Sequence, residues 1–68
     1  MTRNQHVVYC AGRWEVRAAG SRRATSVHGT QSKAIQAGQE IARHQGCTLY
    51  VHSKAGFVKA IFRHAVAC

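Results

Sequence analysis

Hydrophobic and polar residues alternate with a period of two along most of this chain, and one central segment departs from that pattern. Residues 30–46 instead place small and apolar side chains three and four positions apart, the spacing of an amphipathic helix. Thr30 is a good N-cap for this helix, and Gly46 suits the left-handed conformation that ends many helices. The pattern therefore predicts a single helix in a β-rich chain.

Two short runs before the helix predict a β-hairpin. Residues 6–10 form a β-branched and aromatic run, and residues 11–13 follow as a tight turn. In residues 14–18, large apolar side chains alternate with Glu15 and Arg17, which is typical of a strand buried on one face only. Because the first run contains two adjacent valines, the pattern leaves open which of its faces points inward.

The remaining runs predict more strands. Residues 24–28 are rich enough in β-branched side chains for a short third strand. Residues 47–52 alternate again, and the glycine-containing turn at residues 53–56 leads to a closing strand over residues 57–62. Together these runs predict an α+β fold with a single central helix packed on a small, mainly antiparallel sheet, in the order β-β-(β)-α-β-β.

The length of 68 residues is that of one domain, so we expect a single α+β domain over residues 1–68. A chain this short buries only about 60% of its unfolded surface, and such domains often recruit a partner subunit. Residues 60–68 carry no turn signal and form either a strand extension or a tail. We expect a homodimer, and its candidate interface consists of Phe57, Val58, Ile61 and Phe62.

The charge is strongly unbalanced, with ten Lys and Arg against two acidic residues and a formal net charge of +8. Such a surface attracts polyanions, of which nucleic acid is the usual one. We expect sequence-independent, mainly phosphate contacts from four arginines, and base stacking by two rings on the strand face away from the core. These candidate residues are Arg13, Arg17, Arg22, Arg23, Tyr50 and His52. The alternative is a protein-interaction or assembly module whose charge serves only solubility.

Catalytic and metal-binding side chains are not brought together by any spacing in the sequence. Glu15 and Glu40 are the only acidic residues, so paired acid–base chemistry lacks partners unless these two meet by chance, and no glycine-rich phosphate loop precedes the helix. His44-x-x-Cys47 and His64-x3-Cys68 have ligand-like spacing, but the first straddles a helix end and the second lies on the uncertain tail. We expect no enzymatic activity, no metal and no cofactor.

The cysteine count and the hydropathy indicate in which cellular compartment the protein is located. Cys10, Cys47 and Cys68 cannot all pair within one chain, and residues 1–6 lack the apolar core of a signal peptide. No apolar run approaches the roughly 20 residues of a membrane span. We therefore expect a cytoplasmic protein with reduced thiols and no membrane contact.

The order of landmark residues resembles that of a family of short bacterial proteins. The landmarks are Asn4-Gln-His-Val-Val8, Trp14-x-Val16, Ala24-Thr25, Val27, Thr30-Gln31, Ala34-Ile35, Ile41-Ala42, Gln45, Leu49, His52, Gly56 and Val58. Over residues 4–59 they are similar to the domain-of-unknown-function family numbered 2188, which implies a compact α+β unit with a central helix and implies no activity. Tyr9 departs from the family, which usually has proline there, and residues 60–68 are more apolar than its usual tail.

Overall fold

The computed structural model describes residues 4–21 and 23–64, which contain one helix and five strands. The strands form one sheet in the order β3-β2-β1-β4-β5. The α+β class with a single helix is therefore confirmed. The elements are β1 (Gln5–Cys10), β2 (Arg13–Ala18), β3 (Ala24–His28), α1 (Gln31–Gln45), β4 (Thr48–His52) and β5 (Val58–Arg63).

The sheet is mixed, although most of its neighbouring strands are antiparallel. The two central strands, β1 and β4, pair in parallel, with His6 opposite Tyr50. A parallel pair needs a long crossover connection, and here β2, β3 and α1 together supply it. The sequence did not predict this pairing, because a period of two indicates which side chains share a face but not which strands are neighbours.

The helix begins and ends where the sequence predicts. The backbone N–H of Lys33 donates to Oγ1 of Thr30 at 3.2 Å, and Gly46 adopts φ 65° and ψ 41°. The N–H of Gly46 donates to the carbonyl oxygen of Ala42, which satisfies one of the free groups at the helix end. No helix in the described part of the chain, α1 included, has the length and apolarity needed to span a membrane.

Small side chains allow α1 to lie close to the sheet. Ala34, Gly38 and Ala42 follow one another at intervals of four and are buried. A Cβ added at Gly38 would lie 2.8 Å from Cδ1 of Leu49 and 3.4 Å from Cγ2 of Val7. The absence of a side chain at Gly38 therefore sets the distance between the helix and the two central strands.

The core lies between α1 and one face of the sheet. In β1, Val7 is fully buried, so the inward face left open by the sequence is the one with Gln5 and Val7. His6 and Val8 consequently point to the opposite face of the sheet. The buried apolar side chains are Val7, Trp14, Val16, Ala34, Ala42, Cys47, Leu49 and Val51.

Candidate nucleic-acid interface

The second face of the sheet is the candidate interface. The helix packs on one face, and no second helix among residues 4–21 and 23–64 covers the other. Each strand places alternate side chains on this uncovered face. We call it the open face, and its side chains include His6, Val8, Arg13, Glu15, Arg17, Val27, Tyr50, His52, Ile61 and Arg63.

Three rings from the central strands form a cluster in the middle of the open face. His6 and Tyr50 stack with their centroids 5.1 Å apart and 16° between their planes. His52 lies two residues along β4 from Tyr50, with its ring 5.3 Å from that of His6 and tilted by 34°. All three side chains are half-buried, so part of each ring stays accessible. The parallel pairing of β1 with β4 therefore builds a ring cluster, defined by His6, Tyr50 and His52.

The two histidines of the ring cluster share a hydrogen bond. Nδ1 of His6 and Nε2 of His52 are 3.0 Å apart. One nitrogen must donate the hydrogen bond and the other must accept it. The two imidazole rings therefore cannot both be in the protonated, cationic form while this bond lasts. Burial, and after it the neighbouring His52, lowers the pKa of His6 below its ordinary value. His6 is therefore neutral at pH 7 and presents an uncharged ring.

Arg17 lies on the open face as expected, but a carboxylate inside the protein neutralises its charge. Its Nε donates to Oε1 of Glu15 at 2.7 Å, and Glu15 is only 6% exposed. The sequence analysis did not anticipate this pairing. Because Arg17 is opposite His6 across the β1–β2 pair, the ion pair also borders the ring cluster.

Of the other candidate arginines, Arg13 and Arg23 are exposed. Arg13 begins β2, one strand in from the edge, and Arg63 ends the outer strand β5, so these two lie near opposite corners of the open face. Arg23 is exposed in the loop before β3. Arg22 lies outside the described residues. The structure thus brings Arg13 onto the same face as Tyr50 and His52.

Most cations of the described chain have no acidic partner. The chain contains two acidic residues, and both are engaged, Glu15 with Arg17 and Glu40 with Arg43. Residues 4–21 and 23–64 contain eight Lys and Arg, of which six therefore lack a side-chain carboxylate partner. These six are Arg13, Arg23, Lys33, Lys54, Lys59 and Arg63.

A separate aromatic pair lies on the helix side of the sheet. The ring of Tyr9 meets that of Trp14 edge-on, with the centroids 5.1 Å apart. Nζ of Lys54 lies 5.1 Å from the centroid of the Tyr9 ring, within the range of a cation–π contact. Tyr9 is thus a partly exposed tyrosine outside the ring cluster, and it offers a matched control for Tyr50.

The candidate dimer-interface residues divide into two groups. Phe57, Val58 and Ile61 are 74%, 53% and 48% exposed along the outer strand β5 and the turn before it. Phe62 instead points to the helix side and packs against the core. Only the first three are therefore available to a partner.

Candidate metal ligands are scattered. Within residues 4–21 and 23–64, no three His, Cys, Asp or Glu side chains are grouped so that they could hold a metal ion. Cys10 is exposed, Cys47 is buried, and neither forms a disulfide. Burial raises the pKa of the Cys47 thiol, which keeps it protonated and poorly nucleophilic. Cys68, paired by spacing with His64, lies outside the described residues.

The comparison with known proteins supports the resemblance seen in the sequence. A family model described as an uncharacterized protein conserved in bacteria (DUF2188) matches residues 5–60. The chain belongs to this family. It is also similar to the uncharacterized protein YdaT of Bacillus subtilis (strain 168), with 34% identity over 59 residues, which are 87% of this chain and 39% of YdaT. This DUF2188 chain thus spans well under half the length of that relative, and no solved structure matches it.

Two side chains of the candidate interface were not identified from the sequence. His6 was missed because the inward face of β1 was undecided, and Arg63 because the end of the chain lacked a clear pattern. No local pattern would have found His6, because only the structure shows that Gln5 and Val7, on either side of it, are buried. Knowing that Val7 faces the helix places His6 on the open face at once.

Proposed function

We propose that this protein binds nucleic acid without catalysing a reaction, mainly through phosphate and without sequence preference. The charge distribution carries the proposal. Both acidic side chains are paired internally, and six cations of the described residues have no carboxylate partner. Phosphates that approach these cations release counterions from the nucleic acid, and this release drives non-specific binding.

The open face is the contact surface that we favour. Arg13 and Arg63 at its corners supply bidentate phosphate donors, and Arg23 extends the basic margin beside β3. The rings of Tyr50 and His52 lie between these corners. Binding of this kind needs no cofactor, metal or catalytic group. We also propose a cytoplasmic location, where nucleic acid is present and an odd number of cysteines stays reduced.

Removal of the two corner charges tests this function. We expect Arg13→Ser/Arg63→Ser to weaken binding to single- and double-stranded DNA and RNA alike. The slope of log affinity against log salt should fall by about one for each lost phosphate contact. Fluorescence anisotropy over a range of salt concentrations measures both quantities. Since both side chains are exposed, the change in unfolding free energy should stay below about 0.5 kcal/mol each.

A control variant on the helix distinguishes the effect of where the lost charges lie from the effect of the lower net charge. Lys33→Ser/Arg43→Ser removes two exposed charges from α1, on the other side of the molecule. We expect it to change the salt slope less than the corner variant, although both variants have the same net charge. Equal changes of the salt slope in the two variants would show that the open face is not the contact surface. Absence of any binding by the parent protein at low salt would overturn the nucleic-acid function itself.

A second candidate function, homo-oligomeric assembly, is favoured by the exposed apolar side chains of β5. An outer strand such as β5 has unpaired backbone groups along one edge. The exposed apolar side chains on β5 and just before it are those of Phe57, Val58 and Ile61. Strand addition between two copies would bury these side chains along a two-fold axis. The two functions are compatible, since a dimer would present two open faces.

Sedimentation equilibrium tests the assembly. We expect a mass of twice 7.5 kDa for the parent protein and a shift towards the monomer in Val58→Thr/Ile61→Thr. Val27→Thr, a change at a 46% exposed valine on the opposite outer strand, is the matched control and should leave the mass unchanged. A monomeric parent at high micromolar concentration would rule out this candidate.

A further inference from the structure

The ring cluster and the two corner arginines together narrow the class of nucleic acid. We propose that the open face binds a single strand, which runs diagonally from Arg13 to Arg63 and stacks a base on the rings of Tyr50 and His6. This inference rests on the proposed function and adds the strandedness of the ligand. It depends on the register of four neighbouring strands.

The register places Tyr50, one ring of the cluster, on the diagonal between the corners. Arg13 is opposite Cys10 on β1, and Arg63 is opposite Thr48 on β4. Going from Arg13 to Arg63 therefore crosses three strand spacings sideways and six residues lengthwise, about 25 Å in all. Tyr50 lies on this line. A strand of a few nucleotides spans that distance, within the range of known single-strand sites.

The geometry of the ring cluster suits stacking. Nearly parallel planes with centroids 5.1 Å apart form an offset stack, so neither ring of the His6–Tyr50 pair fully covers the other. His6 is uncharged at pH 7, because burial and His52 lower its pKa. A base that stacks on this pair therefore does not have to desolvate a charged His6 ring. Stacking is tolerant of sequence, as every base has a flat π-face.

A duplex cannot use this surface in the same way. Its bases are already stacked and paired, so rings on a sheet meet only the backbone. A single strand can instead turn its bases toward the rings of the open face while its phosphates contact Arg13 and Arg63. The Arg17–Glu15 pair beside His6 adds no net charge at the centre, and two of the uncompensated cations, Arg13 and Arg63, lie at the ends of the open face. The arrangement of rings inside and cations outside is typical of single-strand platforms.

Binding of oligothymidylate of about ten nucleotides, compared with a G·C-containing hairpin duplex that stays paired at low salt, tests the inference. We expect the parent protein to prefer the single strand. Tyr50→Leu should weaken single-strand binding about 5- to 150-fold, the loss expected for one stacked base, and should leave duplex binding unchanged. Tyr50→Phe keeps the ring and should bind like the parent. Tyr9→Leu, the control on the helix side, should change neither affinity.

The outcomes separate this inference from the proposed function. If the parent binds strand and duplex equally and Tyr50→Leu has no effect, the single-strand site is wrong and charge-driven binding stands. If the parent binds neither at low salt, both are wrong. If Tyr50→Leu fails to fold, photo-crosslinking of the parent to 4-thiothymidine-substituted oligothymidylate decides. Crosslinks should map to the tryptic peptides of residues 4–13 and 44–54, which together contain the three rings of the cluster, and crosslinks confined to other peptides would overturn the site.

Discussion

Replacing Arg17 by Met should lower the free energy of unfolding by about 2–3 kcal/mol, which is a large share of the stability of a small domain. The cause is the carboxylate that remains. Glu15 is 6% exposed and accepts a hydrogen bond from Arg17 at 2.7 Å, and its cross-strand neighbours are Val8 and Val27. Without the guanidinium, the Glu15 charge loses its hydrogen-bonded partner while it remains largely buried between Val8 and Val27.

The chain contains its own control for this effect. Arg43 pairs with Glu40 at 3.0 Å, but both side chains are 66% exposed. Water solvates the Glu40 carboxylate after Arg43→Met, so the free energy of unfolding should change by less than about 0.5 kcal/mol. Urea denaturation of both variants and the parent measures the difference. Similar effects from the two substitutions would show that burial of Glu15 has no energetic consequence.

A double variant tests whether the unpaired charge is the cause. Glu15→Leu/Arg17→Met removes both partners and replaces them by apolar side chains, which often restores or exceeds the parent stability. We expect it to recover most of the loss caused by Arg17→Met. If instead the double variant is as unstable as the single one, packing of the Arg17 side chain, which is 33% exposed, matters more than charge.

This ion pair changes how binding experiments should be designed. The sequence predicts Arg17 as one of four phosphate-binding arginines. In the structure its guanidinium also holds the buried carboxylate of Glu15. A variant lacking Arg17 reports on folding as well as on binding. Arg13 and Arg63, both exposed, are the better probes of phosphate contact.

The helix could be predicted in detail because its signals are local. The Thr30 cap, the left-handed Gly46 and the small buried residues at intervals of four all depend on residues within a few positions of one another. The inward faces of β2 and β4 were predicted for the same reason. Trp14 and Val16 in β2, and the two buried residues of β4, alternate with polar neighbours.

The candidate site could be predicted only in part, because its remaining features depend on long-range pairing. Tyr50 and His52 were placed on the correct face by alternation alone, but their contacts with His6 arise from the parallel β1–β4 pair. No local pattern specifies that pair. Likewise, Glu15 and Arg17 lie on one face in the sequence, but burial of their ion pair depends on the strands on either side.

Replacing Gly38 by Val should be equally disruptive, lowering the free energy of unfolding by about 2–3 kcal/mol. Even a single Cβ there would lie 2.8 Å from Cδ1 of Leu49, which is fully buried and cannot swing into solvent. The two further methyl groups of valine must push α1 away from β1 and β4. Gln36→Val, at an exposed position of the same helix, controls for the helix propensity of valine and should cost less than about 0.7 kcal/mol.

A compensating change at Leu49 identifies the contact responsible. Leu49→Ala alone should cost about 2–5 kcal/mol by leaving a cavity. The double variant Gly38→Val/Leu49→Ala should lose at least about 0.5 kcal/mol less unfolding free energy than the sum of the losses in the single variants. The reason is that valine at position 38 fills the space that Leu49→Ala opens. Strict additivity in urea denaturation would contradict a direct contact. Because Leu49 adjoins Tyr50 in β4, a folded Gly38→Val protein should also bind a single strand more weakly than the parent, through displacement of the Tyr50 ring.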